Sequence, residues 1–559
     1  MEFVGFIIVA AIFISIFFIS GIVNEKKSKR LYIENLLKKY GTENKREYKP
    51  EEFQNISAYY RHHRTDFSID DITWNDLNMD DVFRQMNYTK SSAGDEYLYF
   101  LLRNPKLKEM DYEAFEERVE YYQTYEKERV TLQYALHIMG HTGKYSIFDY
   151  LDHLNLLGKR SNKKIYLSYF ILILLLVCTF YYLPIALMGI VVLLVFNLIA
   201  YFKEKEKIDP YITSFSYVFR ILNEVKTLQN AKIRLFEDEI EELLRIKAAF
   251  GKFELFSFLI MSPGRMQGNP IEILIDYLRM FLHLDILKFN SMYHEIEKHR
   301  DKISRMLEII GYIDAILAIG EYREYLGAYC VPEYQEGEYE ASNMYHPLLI
   351  NPVKNSVSIH KSILITGSNA SGKSTFLKMI AINTILAQSI HTVCADKYVA
   401  DNYRVFTSLS LKDNIFDGDS FYMSEIKSIK RMLDAAKDKN TETKVLTFVD
   451  EVLRGTNTIE RIAASGVILK SLSQCEGYCL AATHDIELTE ILQSYFRNVH
   501  FEEEMKNGDI YFPYKLLEGK ATTRNAIALL DLMGYANSIT DMAAKQAQAF
   551  EQDGIWNIL

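Results

Sequence analysis

Apolar residues run uninterrupted by charge from Val4 to Val23 and again from about Ile165 to Phe202. Elsewhere they recur at helical spacing or gather in short strings. At 1.5 Å of rise per residue, the first run is long enough to cross a bilayer as a helix. Only Glu2 precedes it as a charge and no small-x-small cleavage pattern follows, so it reads as an uncleaved anchor rather than a signal peptide. The second run is too long for one average span and has Pro184 near its middle. Two tightly connected helices, roughly 165–183 and 185–202, fit it better than one tilted helix. The alternative is a buried hairpin in a soluble protein, which would need a protein coat on every side.

The basic residues give these runs an orientation. Lys26, Lys27, Lys29 and Arg30 follow the first run. Lys159, Arg160, Lys163 and Lys164 precede the second, and Lys203, Lys205 and Lys207 follow it. Under the positive-inside rule the N-terminus lies outside and both soluble parts lie in the cytoplasm. The expectation is a multi-pass protein of the cell membrane with the lipid bilayer as a partner.

Between the runs the pattern is helical. A short amphipathic helix is expected over Thr73–Phe83. Another should start after Thr89-Lys90-Ser91-Ser92, where Asp95 and Glu96 suit a first turn. Helical spacing returns from Tyr112 to about Leu136 and over 211–326, with Pro263 and Pro270 breaking the latter. Nothing in these segments has active-site chemistry; they read as packing and leverage elements. After Cys330 the texture changes. Residues 345–520 alternate β-rich strings with helical patterns, as a parallel sheet flanked by helices requires.

Within that region Gly367-Ser368-Asn369-Ala370-Ser371-Gly372-Lys373-Ser374-Thr375 matches the phosphate-binding loop pattern in full. The buried-strand string Ser362–Thr366 precedes it and a helical pattern from Phe376 follows. The loop's N–H groups and the helix N-terminus would face the phosphates of ATP. Lys373 would reach the β and γ phosphates and Ser374 would ligate Mg²⁺. An apolar strand from Lys444 ends in Asp450 and Glu451, read as the Mg²⁺ ligand and the group that orients and deprotonates the attacking water. His484 closes a further strand-like string; a lone histidine is usually structural, but a strand-end position suits nucleotide sensing or water positioning.

Composition narrows the classes. The 559 residues carry a formal charge of −10, which argues against a basic coat for wrapping nucleic acid without excluding a local patch. Five scattered cysteines suit a reducing compartment, and Cys475 and Cys479 lack a second pair for a metal site.

Taken in order, several strings make the C-terminal 220 or so residues resemble the ATPase domain of the MutS DNA mismatch-repair family. They are Asn343-Met344-Tyr345-His346-Pro347, the loop with Asn369, Ser420 through Glu425, Asp450 through Asn457, Ala482 through Glu487, and Tyr514 through Gly519. A weaker resemblance extends over the helical core. It implies a head-to-head homodimer with composite nucleotide sites, each phosphate loop looking across at a serine that maps onto Ser420. It also puts His346 beside the nucleotide, gives Arg454-Gly455-Thr456 a role in communication between sites, and makes DNA a partner gripped by lever helices. The helical patterns Asn525–Leu532 and Ile539–Phe550 would form the dimerisation tail.

The departures bear on function. No counterpart of the family's Phe-x-Glu mismatch wedge is found, since Phe115-Glu116-Glu117 lies in a charged helical pattern, and the connector domain has no counterpart either. Asp419 stands where Arg is frequent, and Thr523-Arg524-Asn525-Ala526 where a Ser-Tyr-Gly-Ile-like string is usual. The expected fold is multidomain, with helical transmembrane segments and a mainly helical core and lever region before an α/β P-loop domain of the ABC/MutS type. The expected divisions are 1–25 (anchor), 26–90 (linker), 91–163 (first core part), 164–203 (hairpin), 204–335 (core and lever), 336–520 (ATPase) and 521–559 (tail). The expected activity is a Mg²⁺-dependent ATP hydrolase moving helical levers, on DNA or with the mismatch-repair role of the family. One alternative is an ATP-gated membrane scaffold or sensor acting on a protein partner. The other, a transporter component, lacks a Leu-Ser-Gly-Gly-Gln-like signature before the acids.

Overall fold

The computed structural model describes residues 26–554 together with 20, 23, 24 and 556. Outside the description are 106–110, 143–145, 252–269, 369–370, 410–420, 439–442, 454–455, 507–508, 522–526, 528–529, 531–532 and single positions 153, 159 and 232. The expected anchor Val4–Val23 therefore falls almost wholly outside the described residues, as do Asn369, Ala370, Asp419, Ser420, Arg454, Gly455 and most of Asn525–Leu532.

The chain folds into two compact units that do not follow its linear order. The first comprises Met1–Arg64, Met86–Phe100 and Glu113–Tyr325; the second comprises Thr65–Gln85, Leu101–Tyr112 and Leu326–Leu559.

The first unit is helical. Helices α1 (Ser92–Arg103) and α4 (Arg300–Leu326) cross at two glycines. A Cβ at Gly94 would fall 2.1 Å from Asp314 Oδ2, and one at Gly311 would fall 2.6 Å from the Ala93 carbonyl. This close approach lets the fully buried Asp314 accept from Lys90 N at 3.0 Å, Ser91 N at 2.8 Å and Ser91 Oγ at 2.6 Å. Asp314 thus caps the polar string before α1. Burial pushes its carboxyl up to about 6 despite these donors.

The long apolar tract forms an antiparallel pair, α2 (Lys163–Cys178) and α3 (Leu183–Ala231). Ser168 Oγ donates to Asn197 Oδ1 at 2.9 Å, and Leu175 packs over Gly189. Pro184 sits in the first turn of α3, where a missing N–H costs nothing. Contrary to the expected stop near 202, α3 continues for 49 residues in all, because the Lys- and Glu-rich string after Phe202 is itself strongly helix-forming. Phe170, Ile173, Phe180, Ile185 and Met188 on the pair are exposed. Among the described residues one helical segment, Leu183–Asp209, is long and apolar enough to cross a membrane; α2 has 16 residues.

The second unit is α/β. Its main sheet contains β1 (Ser362–Thr366), β2 (Tyr403–Ser408), β3 (Lys444–Asp450), β4 (Gly477–Ala482), β5 (Phe496–His500) and β6 (Leu517–Glu518), in the spatial order β6-β5-β1-β4-β3-β2. All neighbours are parallel except β6 on β5. Every residue of β1 is buried, as a strand covered on both faces must be. A four-stranded sheet lies in the same unit, in the order Glu333–Tyr334, Lys397–Ala400, Tyr339–Met344, Asn355–Ser358.

The segment expected as one helix over Thr73–Phe83 is two, Asp71–Asp76 and Met79–Met86, with Asn78 left-handed between them. Asp70 caps the first by accepting from Thr73 N at 2.9 Å. This helix covers the edge strand β2: Asp76 Oδ2 accepts from Thr407 Oγ1 and Leu409 N, both at 2.8 Å. An otherwise open edge is thereby closed from within the unit.

The Gly94 crossing yields a stability prediction. Gly94→Ala must push Asp314 off its three donors and should destabilise the folded chain by about 1–3 kcal/mol. A melting temperature equal to wild type would show that Asp314 keeps its donors without this clearance at Gly94.

Candidate nucleotide site

Three parallel strands deliver the site at their carboxyl ends. From β1 the chain enters the loop at Gly367, whose φ of 140° and 2.5 Å clearance between a Cβ and the Phe501 carbonyl admit only glycine. Ser371 Oγ donates to Ser368 O at 2.8 Å and tightens the loop. Gly372, with φ 99°, is the N-cap residue of helix α5 (Lys373–Ile390). Lys373 is buried, and its Nζ donates to the carbonyls of Gly367 and Ser368, each at 2.7 Å. The ammonium is thus folded back over the concavity its own loop forms. Thr375 continues the first turn of α5.

Ser374 Oγ donates to Asp450 Oδ2 at the end of β3, bringing together the two residues expected to share an ion. A hydroxyl beside a carboxylate is an all-oxygen donor set, which suits Mg²⁺. The next residue turns the chain sharply: Glu451 has φ 56° and Leu453 φ 59°. Left-handed conformations at non-glycine residues cost on the order of 1–3 kcal/mol each and persist only where surrounding contacts hold them. Here Glu451 N donates to Ala482 O at 2.9 Å, Ser465 Oγ to Val452 O at 3.2 Å and Thr456 Oγ1 to Leu453 O at 3.0 Å. The turn aims Glu451 at the end of β4, where His484 Nε2 lies 2.8 Å from Glu451 Oε1 and 3.4 Å from Lys373 Nζ. The shorter contact assigns the Nε2 proton, donated to Glu451. Ser374–Asp450 and His484–Glu451 are therefore two bonded pairs on adjacent residues, and Lys373 Nζ, itself only a donor, lies close to the second without a hydrogen bond to the protonated Nε2.

His346 takes another position. Its Nδ1 accepts from Leu348 N at 3.3 Å and the ring lies near Lys378, five residues along α5 from Lys373. Its contacts thus place it beside the helix that follows the loop. Two features escaped the sequence reading. Tyr514, left-handed at φ 53°, lays its ring against Gly372, with Cδ1 3.0 Å from where a Cβ would be. Glu503 accepts from Ser368 Oγ at 3.1 Å. Neither the spacing of Tyr514 nor the run Glu502-Glu503-Glu504 after β5 signals such a contact.

A phosphate loop, paired acids and a strand-end histidine occur in several P-loop groups, so family comparison discriminates among them. Residues 363–551 match the family model of MutS domain V. The C-terminal domain is MutS-like. The chain is 29% identical over 268 residues to DNA mismatch repair protein MutS of Thermotoga petrophila, covering 46% of this chain and 33% of that protein. It is 30% identical over 266 residues to mouse MutS protein homolog 4, covering 44% and 27%. It is 33% identical over 184 residues to DNA mismatch repair protein MutS 2 of Haloarcula marismortui, covering 32% and 19%. The matched part spans about a third or less of each relative. These MutS-like matches support the resemblance read from the motifs; they carry no information on membrane anchoring.

The buried histidine of the MutS-like domain gives a pH prediction. Burial, with the Lys378 charge added, holds His346 down to about 4 from its ordinary 6.5. The unfolded chain takes up this proton near 6.5 and the folded chain only near 4. Stability is therefore intact above about 6.5 and falls as the pH drops towards 4, by up to about 3 kcal/mol from this group. Urea unfolding at pH 7 and 4.5 should show a smaller loss in His346→Gln, which keeps an acceptor but cannot charge; equal losses would remove His346 as the cause.

Proposed function

We propose that the C-terminal domain binds ATP with Mg²⁺ and hydrolyses it, and that the chain does so as a membrane-anchored homodimer. The observation that carries the ATPase reading is the His484–Glu451 pair, with Lys373 close by, beside Ser374–Asp450, assembled at the carboxyl ends of adjacent parallel strands. This is the edge at which open α/β sheets bind ligands.

Each residue has a role its position supports. Released from the Gly367 and Ser368 carbonyls, the Lys373 ammonium reaches the β and γ phosphates, while loop N–H groups and the α5 N-terminus receive the remaining oxygens. Ser374 and Asp450 hold Mg²⁺, which, when bound, neutralises charge on the phosphate oxygens. Glu451 accepts a proton from the attacking water and orients it in line with the γ phosphorus. His484 holds the Glu451 carboxylate in place and lies close enough to Lys373 to register an occupied γ position. Ser420 contacts the nucleotide of the partner subunit, as the MutS resemblance implies.

The membrane reading rests on the exposed apolar faces of α2 and α3 and on the basic residues at their outer ends. A face of this kind on a soluble chain would be an aggregation site. A lipid bilayer covers it without a protein coat, and the ATPase domain then lies in the cytoplasm. DNA is carried over from the named function of the relatives. ATP-driven movement of the helical unit on duplex DNA is the form it would take here. The second reading is a membrane scaffold gated by ATP and acting on a protein; the extent of the exposed hairpin favours it.

Lys373→Ala should abolish nucleotide binding, measured with a fluorescent ATP analogue; unchanged affinity would sink the site assignment. Glu451→Gln should retain binding while kcat falls by about 10²–10⁴-fold, the usual span for loss of a general base. Titrating the detergent-solubilised ATPase with duplex DNA separates the two readings. Saturable stimulation that survives moderate salt supports DNA, whereas indifference to DNA supports the scaffold.

A further inference from the structure

A carboxylate that the proposed mechanism leaves unused is buried next to the turn that carries the proposed base. Glu425 lies one turn into helix α6 (Phe421–Lys437) and is 3% exposed. Ile426 and Ile429 on its own helix and Val452 and Leu453 on the turn belong to one apolar core cluster. Placing a carboxylate among them is costly unless it is hydrogen-bonded. Glu425 Oε1 accepts from the backbone N–H of Leu453.

That N–H belongs to one of the two left-handed residues of the turn that aims Glu451. The other ties of the turn come from β4 through Ala482 O, from helix α7 (Thr458–Ser473) through Ser465, and from Thr456 just ahead of α7. The tie from α6 differs in kind, because its acceptor is a side-chain carboxyl oxygen and not a backbone carbonyl. It also reaches the turn from a different element. Without it, Leu453 and Glu451 lose a restraint that opposes relaxation to ordinary φ values. Relaxation would swing the Glu451 carboxylate away from His484.

We propose that Glu425 is a positioning residue for ATP hydrolysis, holding the 451–453 turn through the Leu453 N–H so that Glu451 points at the water. The inference rests on the ATPase reading of the site. It assigns Glu425 no contact with nucleotide or metal. Its action is on kcat and leaves the phosphate cradle, built from β1 and α5, unchanged.

Three substitutions in the full-length, detergent-solubilised protein test this. Glu425→Gln keeps a carbonyl acceptor at the same reach. Glu425→Asp keeps the charge but is one methylene too short to meet Leu453 N, and Glu425→Ala removes the acceptor. The expected result is kcat within about threefold of wild type for the Gln variant and a loss of about 10–100-fold for Asp and Ala, the scale of a misplaced general base. Nucleotide affinity should stay within about twofold throughout. Backbone hydrogen exchange over 451–456 should rise in Asp and Ala and stay protected in Gln. Full turnover in the Asp variant, or parallel loss of affinity and turnover, would overturn the assignment. So would unchanged exchange over the turn in Asp and Ala. A wild-type protein that shows the exchange pattern but no hydrolysis would sink the ATPase reading and leave the restraint standing. Should the Ala variant fail to fold, the contrast between Gln and Asp still decides.

Discussion

Two consecutive acids at the end of β3 must serve different groups, and the backbone between them decides whether they can. Asp450 is the last residue of a buried parallel strand, and its carboxylate meets Ser374 at the start of α5. A strand continued by one more residue would send the Glu451 side chain to the opposite face of the sheet. The left-handed turn at Glu451 breaks that alternation and delivers the carboxylate to His484. The pairing of Glu451 with His484 exists because this turn is strained and held. Its restraints come from β4, from α6 and α7, and from Thr456, so the active geometry is a property of the packed domain rather than of the strand that bears the acids.

The same dependence on remote packing appears in both units. In the second, a helix from early in the chain, Asp71–Asp76, covers the edge strand β2 and ties the backbone at Thr407 and Leu409. In the first, Asp314 near the middle of α4 caps the string ahead of α1 across more than two hundred residues of sequence. Both are carboxylates satisfied by backbone N–H groups within one compact unit. Both make N-terminal segments integral to structures whose bulk lies further along the chain.

What the sequence showed and what it hid follow from the range of the interactions. The phosphate loop, the Asp450–Glu451 pair and His484 were legible because each is set by a local rule: glycines where φ must be positive or backbone must pass close, acids where a buried strand ends. The order of motifs was enough to reveal the likeness to MutS. The roles of Tyr514, Glu503 and Glu425 were not legible, because each acts through a contact made only after folding. The single helix expected over Thr73–Phe83 failed on a detail of chain direction. Its apolar spacing is helical throughout, but Asn78 adopts the left-handed conformation that asparagine tolerates, and the spacing continues across the break.

The continuity of α3 constrains how any movement could be transmitted. Its 49 residues extend for about 70 Å at the α-helical rise. The apolar half, through Phe202, carries exposed Val191, Val195 and Phe196, whereas the other half buries Phe215, Tyr217, Val218 and Leu222 in the first unit. One helix therefore has two kinds of surface, an exposed apolar face along its first half and a face buried in the protein core along its second. Pro210 lies inside α3 between these halves, where a proline removes one helix hydrogen bond and favours a kink. The Tyr217 hydroxyl oxygen receives the Ala93 N–H at 3.0 Å, at the α1–α4 crossing. α3 thus runs from the apolar face of the hairpin to the crossing at Gly94 and Gly311, with Pro210 as the point along it where bending costs least.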